Sequence, residues 1–146
     1  MYKKILVPLD GSGFAETALR HALSIAQCFG SEITMVRVVV SPFTLVSPDM
    51  VLAGSEQQME ALKEQADLYL KGRKGEVCQE GVKCRTMVLE GPVAQTIVDF
   101  AESEGVDLIV MSTHGRSGLD RWVFGSVAEK VLRAAPCPVF LIPAKK

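Results

Sequence analysis

The stretch DLIVMSTHGRSGLDRWVFGSVAEKVL, residues 107–132, decides the fold class because an apolar run, a glycine-rich loop and an amphipathic segment follow one another in it. The run DLIVM is continuous rather than alternating, which predicts a strand covered on both faces, as in parallel sheets. Apolar residues then recur at helical spacing over 125–135. A strand that leads through a loop into a helix is the repeating unit of α/β proteins.

The rest of the chain repeats this unit, with apolar runs and amphipathic segments in alternation. In the second helix, we expect the stripe Met59, Leu62, Ala66 and Tyr69 to face the core, and in the first we expect Gly30 to end the helix. Such alternation predicts a single-domain α/β fold over residues 1–146, with a doubly wound parallel five-stranded sheet and helices on both faces. The predicted strands are 3–9, 32–40, 82–90, 107–111 and 137–143, and the predicted helices are 13–30, 55–74, 91–105 and 125–135.

Composition and charge limit the classes of function. The chain has 146 residues, 48% of them hydrophobic and 23% charged, and a net charge of -1. That apolar content can bury a globular core, and so small a net charge favours neither nucleic acid nor an acidic membrane surface as a partner. The apolar part of the N-terminal segment MYKKILVPLDGSG is too short for a signal peptide or a transmembrane span, so we expect a cytoplasmic protein.

The four cysteines, Cys28, Cys78, Cys84 and Cys137, show no metal-binding pattern. They have no CxxC spacing and no paired histidines, which argues against a zinc site. We interpret them as thiols without a role in chemistry. A disulfide between Cys78 and Cys84 is the alternative, and it would be unusual in a cytosolic protein.

Two loops should meet at the ligand-binding edge of such a sheet. Ligands of doubly wound sheets bind beyond the carboxyl ends of the strands, which draws attention to PLDGSG, residues 8–13, and STHGRSGLDRWVFGS, residues 112–126. Unpaired N–H groups at a helix start attract anions, and Gly115 and Gly118 would let a phosphate approach the backbone. With Gly125-Ser126 at the start of the fourth helix, the longer loop offers two groups of donors around one polyphosphate.

The alternative is that the glycines are turn residues and that Ser126 is a helix cap. Neither a Walker A loop nor GxGxxG is present.

The segments ILVPLDGS, MSTHGRSGLDRWVFGSVAEKVL and CPVFLIP together resemble the universal stress protein family, in its ATP-binding branch, along the whole chain. The phosphate motif of that family is Gly, two residues, Gly, nine residues, and then Gly followed by Ser or Thr. Here Gly115, the nine residues 116–124, and Gly125-Ser126 match it. The first glycine of the motif is replaced by Ser112. Because serine has a side chain, this replacement affects how closely a phosphate can approach and which nucleotide is bound.

The resemblance implies an adenine nucleotide alpha hydrolase-like fold with sheet order 3-2-1-4-5. It also implies a homodimer in which the segments 137–142 pair antiparallel, and a bound ATP, or AMP or ADP, with Mg²⁺ or Mn²⁺ on the phosphates. Carried over by position, it places Pro8, Leu9 and Asp10 beside the adenosine and the backbone of Val38 beside the base. The predicted nucleotide site comprises Pro8, Leu9, Asp10, Val38, Met111, Ser112, His114, Gly115, Arg116, Gly118, Gly125, Ser126 and Val127.

Several of these residues have a purely structural alternative. Asp10 either binds a metal-bound phosphate, the ribose or the adenine, or caps the GSG turn. His114 either meets a phosphate or bonds to a nearby carbonyl. Trp122 either covers a nucleotide or anchors its loop on the domain. His21 falls on the polar face of the first helix, where we expect it to be exposed.

No catalytic set can be assembled from the sequence, because only one of the two histidines is near the predicted site. We therefore expect a nucleotide-binding regulatory protein of the stress response that hydrolyses ATP slowly if at all. Residues 41–54, a long apolar connection, are a candidate lid or partner surface. The competing hypothesis is a dimeric, stress-linked interaction module that binds no nucleotide.

Overall fold

A computed structural model describes residues 1–40, 55–114 and 125–143 of the chain. Within these ranges each predicted strand and helix is present, with ends that differ by a few residues from the predicted ones. The strands are β1 Lys4–Pro8, β2 Glu32–Val39, β3 Cys84–Glu90, β4 Leu108–Ser112 and β5 Val139–Ile142. The helices are α1 Gly13–Phe29, α2 Ser55–Gln79, α3 Val93–Ser103 and α4 Ser126–Ala134.

The sheet has the order β3-β2-β1-β4-β5 and all of its pairings are parallel. β1 lies in the middle, where Leu6 is opposite Thr34 of β2 and Ile109 of β4. The order expected from the family resemblance is thus confirmed. Since the strands are parallel, the carboxyl ends of β1, β2 and β4 lie along one edge of the sheet.

Helices cover both faces of the sheet, as the doubly wound pattern predicts. Ile5 and Val7 of β1 pack in a cluster with the apolar side of α1 and part of α2, whereas Leu6 packs in a second cluster with α3 and α4. All three side chains are fully buried. Burial on both faces is the reason that β1 is a continuous apolar run rather than an alternating one.

The ends of α1 follow from its local sequence. The Ser12 hydroxyl accepts a hydrogen bond from the Ala15 N–H at 3.2 Å, which satisfies one of the unpaired donors of the first turn. Gly30 ends the helix in the left-handed conformation, with φ 66°. The prediction that Gly30 ends this helix is confirmed, and His21 on its outer face is exposed as expected.

α2 differs from its prediction in length and in the face that it buries. It extends to Gln79 rather than to about residue 74, because fully buried Val77 holds its last turns on the sheet. The predicted stripe is wrong at Leu62, which is 39% exposed, whereas Leu70 is fully buried. The residues of α2 that face the sheet are therefore spaced by seven, four and seven positions. They are Met59, Ala66, Leu70 and Val77.

Candidate functional site

A cavity of about 270 Å³ lies at the carboxyl ends of β1, β2 and β4, next to the starts of α3 and α4. The topology accounts for its position, because the loops after β1 and β4 leave neighbouring strands at the same edge. All ten predicted site residues that the structure describes line this one cavity. They are Pro8, Leu9, Asp10, Val38, Met111, Ser112, His114, Gly125, Ser126 and Val127.

The cavity also has an apolar wall that the sequence analysis missed. Val36 shares a strand face with Val38, since residues two apart on a strand point the same way. Val93 and Ile97 lie one turn apart at the start of α3 and complete this wall. The sequence does place Val93 and Ile97 on one face of α3, because they are four positions apart. That spacing does not distinguish a residue that lines a cavity from one that is buried in the core. Ala15, Thr113 and Ala128 are further lining residues.

The N-terminus of α4 reaches the cavity, and no side chain among the described residues caps it. Gly125 is the N-cap residue and Ser126 is the first residue of the helix, so the interpretation of Ser126 as a cap is wrong. In α1, by contrast, Ser12 caps the first turn through its hydroxyl. The first N–H groups of a helix have no partner within it and carry the positive end of its dipole. This edge of the cavity therefore favours an anion.

Gly125 is held close to the end of β4. Its N–H donates to the Thr113 carbonyl oxygen at 2.8 Å, and a Cβ added at Gly125 would lie 3.0 Å from the same oxygen. That separation is tighter than ordinary van der Waals contact between carbon and oxygen. A glycine at this position lets α4 start against β4 without displacing the backbone.

Asp10 has a structural role and also faces the cavity. One of its carboxylate oxygens accepts a hydrogen bond from the Ser12 N–H at 2.9 Å, so the predicted turn cap is confirmed. Asp10 also lines the cavity. Its negative charge would oppose a bare phosphate and would suit a cation or a hydroxyl donor.

Ser112 and His114 form a short buried arrangement at the end of β4. The Ser112 hydroxyl oxygen accepts a hydrogen bond from the His114 backbone N–H at 3.3 Å. The His114 ring is buried, and its Nδ1 lies 3.1 Å from the Thr113 hydroxyl rather than bonding to a carbonyl. The other ring nitrogen, Nε2, is buried and has no hydrogen-bond partner among the described residues. A polar ring nitrogen in this position can donate to or accept from a bound ligand.

Some predicted features lie outside the described residues. These are Gly115, Arg116 and Gly118 of the nucleotide site, the loop residue Trp122 and the candidate lid 41–54. Within the described ranges there is no group of three or more His, Cys, Asp or Glu residues that could hold a metal ion. Nor does any helix in that part of the chain have the length and apolar character needed to cross a membrane. The cytoplasmic location stays a prediction.

Comparison with known proteins identifies the family. The model of the universal stress protein family matches residues 1–143. The chain belongs to the universal stress protein family. Among its relatives in this family, universal stress protein MJ0531 of Methanocaldococcus jannaschii is 44% identical over 148 residues, an alignment that covers 100% of this chain and 85% of the relative. The predicted resemblance is confirmed.

Solved structures of universal stress proteins share the fold. That of MJ0577 from M. jannaschii has a TM-score of 0.89 at 32% identity and covers 100% of this chain and 99% of its own. UspA from Lactobacillus plantarum has a TM-score of 0.86 at 29% identity, covering 97% of both chains.

Two more distant universal stress proteins were solved in complex with adenine nucleotides. One, from Archaeoglobus fulgidus, holds dAMP, with a TM-score of 0.63 at 23% identity over 97% of this chain and 98% of its own. The other holds cAMP, with a TM-score of 0.65 at 19% identity over 97% of both chains. At these identities the comparison shows a common fold.

Proposed function

We propose that this universal stress protein binds an adenine nucleotide in the cavity at the carboxyl edge of the sheet and acts as a nucleotide-responsive regulator in the stress response. The observation that carries the proposal is the N-terminus of α4, which borders a cavity with an apolar wall and which no side chain in the described part of the chain caps. A nucleotide has the two matching parts, an anionic phosphate chain and a flat apolar base. The dAMP and cAMP complexes of universal stress proteins of the same fold support this choice of ligand.

The cavity divides between the two parts of such a ligand. The base would lie against Val36, Val38, Val93 and Ile97, with the backbone of Val38 along its edge. The phosphates would lie at the start of α4, where Ser126 adds a hydroxyl donor to the backbone N–H groups. His114 also lines the cavity, and its Nε2, which has no hydrogen-bond partner among the residues the structure describes, is a candidate contact for the ribose or a phosphate.

A divalent cation would bind chiefly through the phosphates. Mg²⁺ in proteins keeps several waters and takes one or two carboxylates besides phosphate oxygens. Among the described lining residues Asp10 is the carboxylate that could take part, and one of its oxygens already accepts the Ser12 N–H. We therefore propose Mg²⁺ or Mn²⁺ as part of the bound nucleotide rather than as a resident ion.

The edge strand β5 supports a homodimer as the acting unit. β5 lies at one end of the sheet order, so one side of its backbone has no neighbouring strand within the described sheet. Phe140 in this strand is 44% exposed. Exposed edges of this kind pair readily with another strand. We propose that residues 137–142 of two copies pair antiparallel.

Binding is tested on the purified full chain in two ways. Unfolding the protein and analysing the supernatant by mass spectrometry should reveal a co-purified adenine nucleotide. Isothermal titration with ATP, ADP and AMP, with and without Mg²⁺, should then give saturable binding to the stripped protein. Absence of both a released nucleotide and any binding heat at millimolar ligand would contradict the proposal and favour the nucleotide-independent interaction module.

Matched variants locate the site. Gly125→Ala places a methyl group 3.0 Å from the Thr113 carbonyl and should weaken binding about tenfold or more, equivalent to about 1.4 kcal/mol. Gly75→Ala is the control, because nothing lies within 4 Å of a Cβ at that exposed helical position. Ser126→Ala, compared with Ser24→Ala on α1, tests the hydroxyl without crowding the backbone. Equal affinities in all four variants would place the nucleotide elsewhere.

A further inference from the structure

Two thiols from adjacent elements meet at the amino edge of the sheet. The Cys78 Sγ atom, in the last turn of α2, lies 3.7 Å from the Cys84 Sγ atom, at the first position of β3. Both are free cysteines. A disulfide bond has an S–S length of about 2.05 Å, so the sulfur atoms need to approach by less than 2 Å to form one.

The short connection between the two thiols is shaped to keep them together. The Gly81 N–H donates to the Cys78 carbonyl oxygen at 3.1 Å, and Gly81 has φ 78°, a conformation that favours glycine. Val77 and Val82, on either side of the turn, are buried in the same cluster. The last turn of α2 and the start of β3 are therefore fixed against one another before any bond forms.

The two thiols differ in their surroundings. Cys78 is exposed, whereas Cys84 is half-buried and also contacts the Lys74 carbonyl oxygen at 3.8 Å. Burial, together with the contact with Cys78, raises the pKa of Cys84 to about 11. Cys84 therefore stays a thiol near neutral pH, and Cys78 is the side chain that an oxidant in solvent reaches first.

We propose that Cys78 and Cys84 are a reversible oxidation site, which a hydroperoxide converts to an intramolecular disulfide. Exposed thiols that lie next to a second thiol are typical of redox-sensing proteins in reducing compartments. In a stress protein, such a pair would report an oxidant directly.

The chemistry balances with hydrogen peroxide as the oxidant. The Cys78 thiolate attacks one peroxide oxygen, the O–O bond breaks, and the released hydroxide takes up a proton to leave as water. The Cys84 sulfur then attacks the sulfur of the Cys78 sulfenic acid, so that an S–S bond forms and the S–O bond breaks. The departing hydroxide takes the proton that Cys84 loses. Two thiols have lost two electrons in total, and one peroxide has become two waters.

This site is separate from the proposed nucleotide cavity. Cys84 is opposite Ile33 at the start of β2, whereas the cavity is lined by Val36 and Val38 further along the same strand and lies at the carboxyl ends. The thiol pair does not line the cavity. The test below uses no nucleotide, so its failure and the failure of the proposed function are distinguishable.

The experiment treats the reduced full chain with a small excess of hydrogen peroxide and then blocks the remaining thiols with N-ethylmaleimide. Free thiols should fall from four to two while the protein keeps its native mass on a non-reducing gel. Trypsin cleaves after Lys74, Lys83 and Arg85, so the disulfide should appear as peptide 75–83 linked to the dipeptide 84–85. Dithiothreitol should restore all four thiols. Finding Cys84 still free for alkylation after Cys78 has been oxidised would overturn the proposal, as would a disulfide between two chains.

Serine variants separate this pair from general thiol oxidation. Cys84→Ser should leave the Cys78 sulfenic acid without its partner, so that dimedone labels Cys78. The double variant Cys28→Ser/Cys137→Ser keeps the pair and should form the same linked peptide as the unaltered chain. Oxidation should also raise the Tm of that double variant and leave the Tm of Cys78→Ser unraised, because only the former gains a cross-link. The linked peptide is the deciding observation. If it forms in the double variant, the site is supported even when the Tm does not shift. If it is absent from the double variant, the proposal is overturned.

Discussion

At the scale of single residues, a side chain at the end of β4 occupies one backbone donor. The His114 N–H, which borders the cavity, is occupied by the Ser112 hydroxyl oxygen. A phosphate that used this N–H would have to displace the hydroxyl or bind through it. In the proposed site, Ser112 would therefore leave one backbone donor fewer for a phosphate. Gly125 lets α4 start close to the end of β4.

Replacing Ser112 should strengthen nucleotide binding. Ser112→Ala and Ser112→Gly both free the His114 N–H, and a hydrogen bond has a net value of roughly 0.5–1.5 kcal/mol, so the Kd should fall roughly 2- to 10-fold. Isothermal titration with ATP measures the change. If only Ser112→Gly binds more tightly, the obstruction is the Cβ rather than the hydroxyl. Weaker binding by both variants would mean that the hydroxyl itself is a ligand contact.

At the scale of elements, α2 is the longest described helix and has an exposed outer face. It has 25 residues, and its outer face includes Gly72 and Gly75 as well as Leu68, which is 70% exposed. Glycine in a helix interior is destabilising because the unfolded chain has more conformational freedom to lose. The buried apolar side chains of α2 are Met59, Ala66, Leu70 and Val77, and the half-buried Tyr69 packs against the same core.

Gly75→Ala should stabilise the protein. No atom of the described residues lies within 4 Å of a Cβ at this position, so the change reduces the freedom of the unfolded chain without crowding the fold. We expect the free energy of unfolding to rise by about 0.5–1 kcal/mol, measured by urea denaturation with an unchanged m value. Gly30→Ala is the opposite control, because φ 66° strains any other residue and should lower stability. A loss of stability in Gly75→Ala would show that α2 needs flexibility there.

At the scale of the whole molecule, different edges of the sheet carry different features. The carboxyl edge holds the cavity, the amino edge holds the Cys78 and Cys84 thiols, and β5 forms one lateral edge with Phe140 exposed. These locations follow from the parallel arrangement, which gathers all strand ends of one kind at one edge. Variants at these three places should therefore affect the proposed nucleotide binding, the proposed oxidation and the proposed pairing between chains separately.

Phe140→Glu should convert the proposed homodimer to a monomer. The change introduces a charge near the two-fold axis of a β5 pair, where it would meet its own copy. Size-exclusion chromatography with light scattering should give about 32 kDa for the unaltered chain, twice the 15.8 kDa of one copy, and half of that for the variant. Leu68→Glu is the control, because Leu68 is an exposed residue of α2, and it should leave the mass unchanged. A monomeric unaltered chain would refute the dimer.

Local patterns in the sequence were enough to locate every strand and helix that the structure describes. Burial on two faces makes β1 continuously apolar, and Gly30 ends α1 because it adopts the left-handed conformation. The expected strand order and the full residue list of the predicted nucleotide site came from the family resemblance, since periodicity within an element says nothing about its neighbours. Tertiary structure decided the rest. It set which side of α2 is buried, turned the Ser112 hydroxyl onto the His114 N–H, brought Val93 and Ile97 to the cavity and placed the Cys78 and Cys84 sulfurs 3.7 Å apart. Each of these depends on how separate elements pack, and packing is a property of the folded chain as a whole.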